Sequence, residues 1–105
     1  MRYPKVIESI SNAVKEFAPD AKAILFGSEA RREARSDSDI DLLILLPDNT
    51  WAKRYVEGRD ELSGRLYEIE LANDVMISPV ILLRSMWDSR KTQFTVNINN
   101  EGIEI

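Results

Sequence analysis

Two aspartates, Asp39 and Asp41, stand at the start of the most apolar segment of the chain, in the stretch SDSDIDLLILL at residues 36–46. Residues two apart on a strand point to the same side, so the two carboxylates are predicted to lie roughly 5–7 Å apart on one face. Two anions that close raise each other's pKa unless a cation lies between them. Mg²⁺ is commonly held by one or two carboxylates, with substrate phosphates as further ligands. The pair therefore predicts a magnesium site, in which Mn²⁺ can substitute.

A second candidate for chemistry lies upstream, where LFGSEARREAR at residues 25–35 predicts a strand, a Gly-Ser turn and a helix. Backbone N–H groups and the positive end of a helix dipole favour a phosphate at such a point. Gly27 allows close approach of the backbone, and Ser28 offers a hydroxyl donor. Arg31 and Arg35, four apart on the predicted helix, are candidates to neutralise a leaving pyrophosphate, although the same charges also fit a solvated surface helix. With the aspartates, this is the minimal equipment for phosphoryl or nucleotidyl transfer.

The segment GSEARREARSDSDID at residues 27–41 has the pattern G-S, ten residues, then D-x-D. It resembles the nucleotidyltransferase superfamily of DNA polymerase β type and, in length and motif order, the minimal nucleotidyltransferases. The resemblance implies a nucleotidyltransferase-fold mixed sheet packed against helices, with two Mg²⁺ ions on Asp39 and Asp41. It also implies a third, metal-binding carboxylate on a later strand that helps to activate the attacking hydroxyl. Asp74, which opens DVMIS, is the candidate for this role, and Glu70 is the alternative.

The resemblance further implies an enzyme that transfers a nucleoside monophosphate, AMP from ATP, to a hydroxyl acceptor. Minimal nucleotidyltransferases are often paired with a small all-helical HEPN protein in toxin–antitoxin modules, so a HEPN toxin is the expected partner and acceptor. The family usually has A-R-G after G-S-x, whereas Arg32 stands at the glycine position here, where it could crowd or recharge the phosphate site. A second hypothesis is therefore a weak or inactive module of the same fold that neutralises a partner by contact. A third is another acceptor, such as an aminoglycoside or an RNA 3′ end.

Apolar periodicity predicts the elements that position these residues. The first half is predicted to form a helix from residue 4 to the Pro19-Asp20 break, a strand at 21–26, a helix at 29–35 capped by Ser28, a turn at 36–38 and a strand at 39–46. A helix at 51–72, with Thr50 as a candidate N-cap, and a strand at 74–78 that residues 80–83 could extend are predicted to follow. The tail is predicted to have helical turns at 85–88 and 93–101 and an edge strand at 103–105. This order predicts a single α/β or α+β domain over residues 1–105.

Composition narrows the chemistry. The chain has no Cys and no His, which excludes thiolate chemistry and leaves carboxylates, hydroxyls, Lys and Arg for acid–base work and oxygen ligands for a metal. The net charge of −4 argues against a broad nucleic-acid-binding surface. The longest apolar run, Leu42 to Leu46, is too short to span a bilayer, and no signal peptide is evident. Together with the lack of Cys, these features predict a cytoplasmic protein.

Overall fold

The computed structural model describes residues 3–35 and 38–105. The elements in chain order are α1 (Pro4–Phe17), β1 (Lys22–Phe26), α2 (Gly27–Ala30), β2 (Ile40–Leu46), α3 (Asp48–Trp51), a 3₁₀ turn (Ala52–Arg54), α4 (Tyr55–Asn73), β3 (Ile77–Leu83), α5 (Arg84–Asp88), α6 (Gln93–Glu101) and β4 (Ile103–Glu104). The predicted α+β class is confirmed, because a mixed four-stranded sheet packs against helices. Within the described residues, no helix is both long and apolar enough to cross a membrane.

The sheet has the strand order β3-β2-β1-β4, in which β2 runs parallel to β3 and antiparallel to β1. Asp41 on β2 is paired with Phe26 on β1 and with Ser78 on β3. Residues that are directly paired across strands point to the same face of a sheet. Phe26, Asp41 and Ser78 therefore form one row of side chains across three strands.

Strand β2 is buried on both faces, which accounts for the unbroken apolar run at residues 42–46. Alternate residues from Ile40 to Leu46 pack in the main core with α1 and α4. Leu43 and Leu45 face the other way, where Trp87 of α5 and Ile98 of α6 cover them. Asp41 shares the orientation of Leu43 and Leu45 but is only partly buried. The sheet thus presents Asp41 on the α6 side, one row beyond the apolar cover.

The predicted strand at 74–78 is wrong in its start. Helix α4 continues through Asn73, and Asp74 caps it in a left-handed conformation with φ 52°. The strand then runs from Ile77 to Leu83, so the two predicted apolar pieces form one strand. Pro79 within it is tolerated because β3 is an edge strand, where a missing N–H costs no ladder hydrogen bond on the open side.

Other predicted elements had mixed outcomes. The helices predicted at 4–17 and 93–101 and the edge strand near the C-terminus are confirmed. Thr50 is not an N-cap, because α3 already begins at Asp48 after Pro47. The predicted turn at 36–38 lies largely outside the described residues, which omit 36 and 37.

Gly58 and Gly64 of α4 provide a matched test of this packing. A Cβ on Gly58 would lie 2.7 Å from the Cε3 and Cζ3 atoms of the buried Trp51 ring, whereas a Cβ on Gly64 meets nothing within 4 Å. We expect Gly64→Ala to raise the free energy of unfolding by roughly 0.5–1 kcal/mol through better helix propensity. Gly58→Ala should lower it by about 1–3 kcal/mol, because Trp51 must shift from its packing on Phe17.

Urea denaturation of the two variants measures both changes. Stabilisation by Gly58→Ala equal to that by Gly64→Ala would contradict the contact between Trp51 and α4.

Candidate active site

Asp39 and Asp41 lie on the same side of the sheet. The Ser78 hydroxyl, in the same row as Asp41, donates a hydrogen bond to Asp39 Oδ2 at 2.8 Å. Asp39 therefore points to the α6 side as well. The backbone fixes the position of Asp39, because the N–H of the next residue, Ile40, donates to Met76 O at 2.8 Å. This hydrogen bond holds the start of β2 against the segment that leads into β3.

The electrostatics of Asp41 reflect this crowding. Burial raises the pKa of the Asp41 carboxyl, and the negative charge of Asp39 raises it further. The Arg31 guanidinium acts in the opposite direction. The pair is thus a concentration of negative charge that Arg31 offsets only in part, and a bound cation would relieve it further.

Gly27 joins the predicted phosphate turn to this pair. Its φ is +68°, in the left-handed region that favours glycine. A Cβ at this position would overlap Asp41 Oδ2 and lie 3.3 Å from Asp41 Cγ. Both the backbone conformation and the closeness of the carboxylate therefore require a residue without a side chain. The turn and the aspartates, separated in sequence, form one site.

These features agree with the comparisons with known proteins. The family model described as "Nucleotidyltransferase domain" matches residues 7–95. The chain belongs to the nucleotidyltransferase family. A relative from Methanocaldococcus jannaschii, named "Putative protein adenylyltransferase MJ0141", is 30% identical over an alignment of 105 positions, which covers 91% of this chain and 98% of the relative. The predicted nucleotidyltransferase family and the predicted class of enzyme, a nucleotidyltransferase, are therefore confirmed.

The helix after the Gly-Ser turn is shorter in this nucleotidyltransferase than predicted. It begins at Gly27 and ends at Ala30, so Phe26 rather than Ser28 is its N-cap. A single turn has a small macrodipole, and an anion here would depend on individual N–H groups, the Ser28 hydroxyl and nearby cations. The prediction that Arg31 and Arg35 share a helical face is wrong, because both follow the last helical residue.

Arg31 is the cation that the structure brings to the site. It lies directly after α2, and its charge acts on Asp41. Its Nε donates to Glu33 Oε2 at 3.1 Å, and its Nη1 lies 3.7 Å from Glu101 Oε2 of α6. Arg35 lies further along the loop, where its backbone N–H donates to Ser38 Oγ at 2.9 Å, just before Asp39. Arg31 thus lies close to Asp41, and Arg35 lies in the loop that leads to Asp39.

Arg32 occupies the position where the family usually has glycine. Its φ is 58°, so the backbone keeps the left-handed conformation that glycine adopts without strain. The Arg32 side chain is exposed. The departure from the family pattern therefore imposes a local conformational cost on the loop, and the side chain remains at the surface.

The third carboxylate is the main difference from the predicted site. Among residues 3–35 and 38–105, no group of three or more His, Cys, Asp and Glu side chains could hold a metal ion. The structure therefore does not bring Asp74 or Glu70 together with the aspartate pair. Asp74 is held at the exposed end of α4, three residues before β3 begins, and Glu70 lies within α4. The residue that faces the pair from β3 is Ser78.

Sequence reasoning missed further residues near the site. Glu29, the first residue of the helix predicted at 29–35, is only 2% exposed, whereas a solvated surface helix would leave it accessible. Phe26 shares the row of Asp41, a relation that requires the pairing register of β1 and β2. Phe94, to which the sequence assigned no role, packs edge-on against Phe26 with ring centroids 5.6 Å apart. Alternation along β3 could have identified Ser78, but only with the correct start of that strand.

Removing the charge of Asp41 is expected to stabilise the metal-free protein at neutral pH. The pKa of Asp41 is raised above its ordinary value of 3.8, so the folded state favours the protonated form. The contribution of the protonated Asp41 carboxyl to the free energy of unfolding is complete below pH 3.8. It is lost as the pH rises through the raised pKa of Asp41. We expect Asp41→Asn to raise Tm at pH 7 in EDTA by about 1–6 °C, with the gain shrinking toward pH 4.

Asp20→Asn is the control, because Asp20 is exposed and lies at the opposite end of β1. It should change Tm little. A lower Tm for Asp41→Asn at pH 7 would contradict the cost of the Asp41 charge that burial and the neighbouring Asp39 impose.

Proposed function

We propose that this nucleotidyltransferase transfers AMP from ATP to a hydroxyl group on another protein, with Mg²⁺ bound by Asp39 and Asp41. The observation that carries the proposal is the closeness of the Asp41 carboxylate to Gly27, because it brings a cation site and a phosphate-binding turn to one point. The name of the Methanocaldococcus relative, a putative protein adenylyltransferase, supports both the adenylyl group and the protein acceptor.

The residues present fit Mg²⁺. Asp39 and Asp41 supply only oxygen ligands, which Mg²⁺ prefers, and their charges face the same side of the sheet. When bound, Mg²⁺ would neutralise the carboxylates and the triphosphate and polarise the reacting phosphoryl group. Family resemblance favours two such ions. We propose that substrate phosphates, rather than Asp74, supply the remaining oxygen ligands of Mg²⁺.

The protein's own groups would orient the substrate and stabilise charge. The N–H groups of Gly27 and Ser28, with the Ser28 hydroxyl, would hold the phosphates, and Arg31 would balance charge on the leaving pyrophosphate. Arg35 would act as a second cation from the adjoining loop. The acceptor oxygen forms a bond to the α-phosphorus as the bond from that phosphorus to the β-phosphate bridging oxygen breaks. The acceptor proton passes to Asp39, which the Ser78 hydrogen bond holds in place.

A substitution at Ser78 tests the two-carboxylate site. An aspartate at this position supplies the third carboxylate that the family resemblance implies. Ser78→Asp would place a third negative charge in the row of Asp41, beside Asp39. We expect its metal-free Tm to fall, since the repulsion increases, and its affinity for Mn²⁺ to rise by about tenfold, because affinity follows ligand charge.

Calorimetric titration with Mn²⁺ and thermal unfolding in EDTA provide the two readouts. Ser78→Ala, which removes the hydroxyl without adding charge, should not gain Mn²⁺ affinity. Unchanged Mn²⁺ affinity in Ser78→Asp would remove Ser78 from the cation site.

The acceptor is proposed to be a HEPN protein, as the resemblance to minimal nucleotidyltransferases suggests. In the described part of the chain, the helices and strands build one sheet and its covering helices. The second hypothesis, neutralisation by contact alone, is favoured by one observation: the group facing the aspartates from β3 is a serine and not a carboxylate. An inactive module would still neutralise its partner after the aspartates are replaced.

Label transfer tests the reaction. The protein, Mg²⁺ and ATP labelled on the α-phosphate are incubated with the candidate HEPN protein, and in separate arms with an RNA and an aminoglycoside. We expect label on the HEPN protein, and a loss of at least about 100-fold in Asp39→Asn/Asp41→Asn because the cation site is removed. Asp74→Asn is the control and should remain within about twofold of the parent.

Label from the γ-phosphate would overturn nucleotidyl transfer in favour of phosphoryl transfer. Label on the RNA or the aminoglycoside alone would overturn the protein acceptor. Neutralisation of the HEPN protein with no label on it, unaltered in the double variant, would establish the contact hypothesis instead.

A further inference from the structure

A pocket of about 200 Å³ adjoins the aspartate pair on the α6 side of the sheet. The residues that matter for its chemistry come from the end of β1, the turn after it and helix α6: Phe26, Gly27, Arg31, Phe94, Asn97 and Glu101. We infer that this pocket binds the nucleobase of the substrate nucleotide. The inference rests on the proposed function and specifies which part of the nucleotide this chain recognises.

The position of the pocket fits a base connected to phosphates at the turn. Gly27 lines the pocket, and the same residue approaches the Asp41 carboxylate so closely that no Cβ could be accommodated. Arg31 also lines it while acting electrostatically on Asp41. The pocket is therefore continuous with the phosphate and cation end of the site, and a nucleotide whose phosphates lie at Gly27 would have its base next to α6.

The apolar wall of the pocket suits a planar ring. Phe94 is 46% exposed although it is a large hydrophobic residue. Its ring is supported edge-on by Phe26 at 5.6 Å and by Trp87 at 6.3 Å between centroids. These contacts fix the ring and leave part of its surface to solvent. An exposed aromatic ring on a rigid support is a stacking surface for a base.

The polar groups of the pocket match the edge of a base. Asn97 Oδ1 accepts a hydrogen bond from Gln93 Nε2 at 2.8 Å, which orients the amide so that Nδ2 can donate to a ring nitrogen or carbonyl. The Glu101 carboxylate can accept from an exocyclic amino group. Adenine offers an amino donor next to a ring-nitrogen acceptor, as this pair of groups requires.

The ion pair between Arg31 and Glu101 connects the two ends of the site. Arg31 Nη1 lies 3.7 Å from Glu101 Oε2, at the boundary between the phosphate turn and the pocket. Asn97 and Glu101 follow residue 95, where the match to the nucleotidyltransferase family ends. Apart from Arg31, the polar residues that line the pocket thus come from helix α6, beyond the region matched by the family model.

The test compares a whole nucleotide with its phosphates alone. Binding of ATP and of inorganic tripolyphosphate, both with Mg²⁺, is measured by calorimetry for the parent protein, Phe94→Ala and Val96→Ala. We expect Phe94→Ala to weaken ATP about tenfold and to change tripolyphosphate less than twofold, because only the stacking surface is lost. Val96→Ala is the matched control, since Val96 lies on the same helix at 45% exposure and outside the pocket lining, and should alter neither.

Phe94→Leu provides a second variant that keeps apolar bulk without an aromatic ring, and it should also weaken ATP selectively. Unchanged ATP binding in both Phe94 variants, in a parent protein that binds ATP, would overturn the base pocket and leave the proposed function standing. Equal weakening of ATP and tripolyphosphate would also overturn it, because the effect would then concern the phosphates. A parent protein that binds neither ligand would overturn the proposed function itself.

Discussion

The candidate site depends on one constraint of the fold, which holds two like charges on the same side of the sheet. Asp39 and Asp41 face the same side at the start of β2, and burial and the neighbouring charge both raise the pKa of Asp41. Strand β2 cannot turn these groups away, because a shift by one residue would also move its apolar residues from one core to the other. The packing of the hydrophobic core therefore holds the two carboxylates together, and in the proposed function this arrangement precedes the binding of a cation and phosphates.

The two faces of the sheet differ in what they carry: one packs against the main hydrophobic core, and the other carries the candidate site. The face toward α1 and α4 carries the main core. On the opposite face, α5 and α6 bury Leu43 and Leu45, whereas Phe26, Asp41 and Ser78 in the next row are only partly buried. Gly27 completes the arrangement, because only glycine permits the close approach of the turn to Asp41.

The sequence was sufficient for the parts of the fold that depend on local pattern. Apolar periodicity located α1 and α6, and the D-x-D spacing correctly placed two carboxylates on one face, because alternation along a strand is a local rule. The end of α2 was missed because Arg32 adopts a left-handed conformation despite a sequence rich in helix formers. Asp74 was assigned to a strand because the left-handed cap at the end of α4 has no strong signal without glycine.

The pairing of distant residues was beyond the reach of local patterns. The position of Ser78 opposite Asp41 follows from the register between β2 and β3, and the approach of Phe94 to Phe26 follows from the docking of α6 on the sheet. Both depend on contacts between segments far apart in the chain. The residues that hold the motif were thus predictable, whereas those that surround it were not.

Helix α6 contributes both to the smaller hydrophobic core and to the pocket. Ile98 is part of the smaller apolar core, while Phe94 and Asn97 on the same helix line the pocket beside the turn. A ligand that fills the pocket would thereby oppose fraying of the C-terminal segment, and a substitution that loosens that segment would reduce occupancy without touching a carboxylate. Occupancy and local order in the last part of the chain are two measures of a single equilibrium.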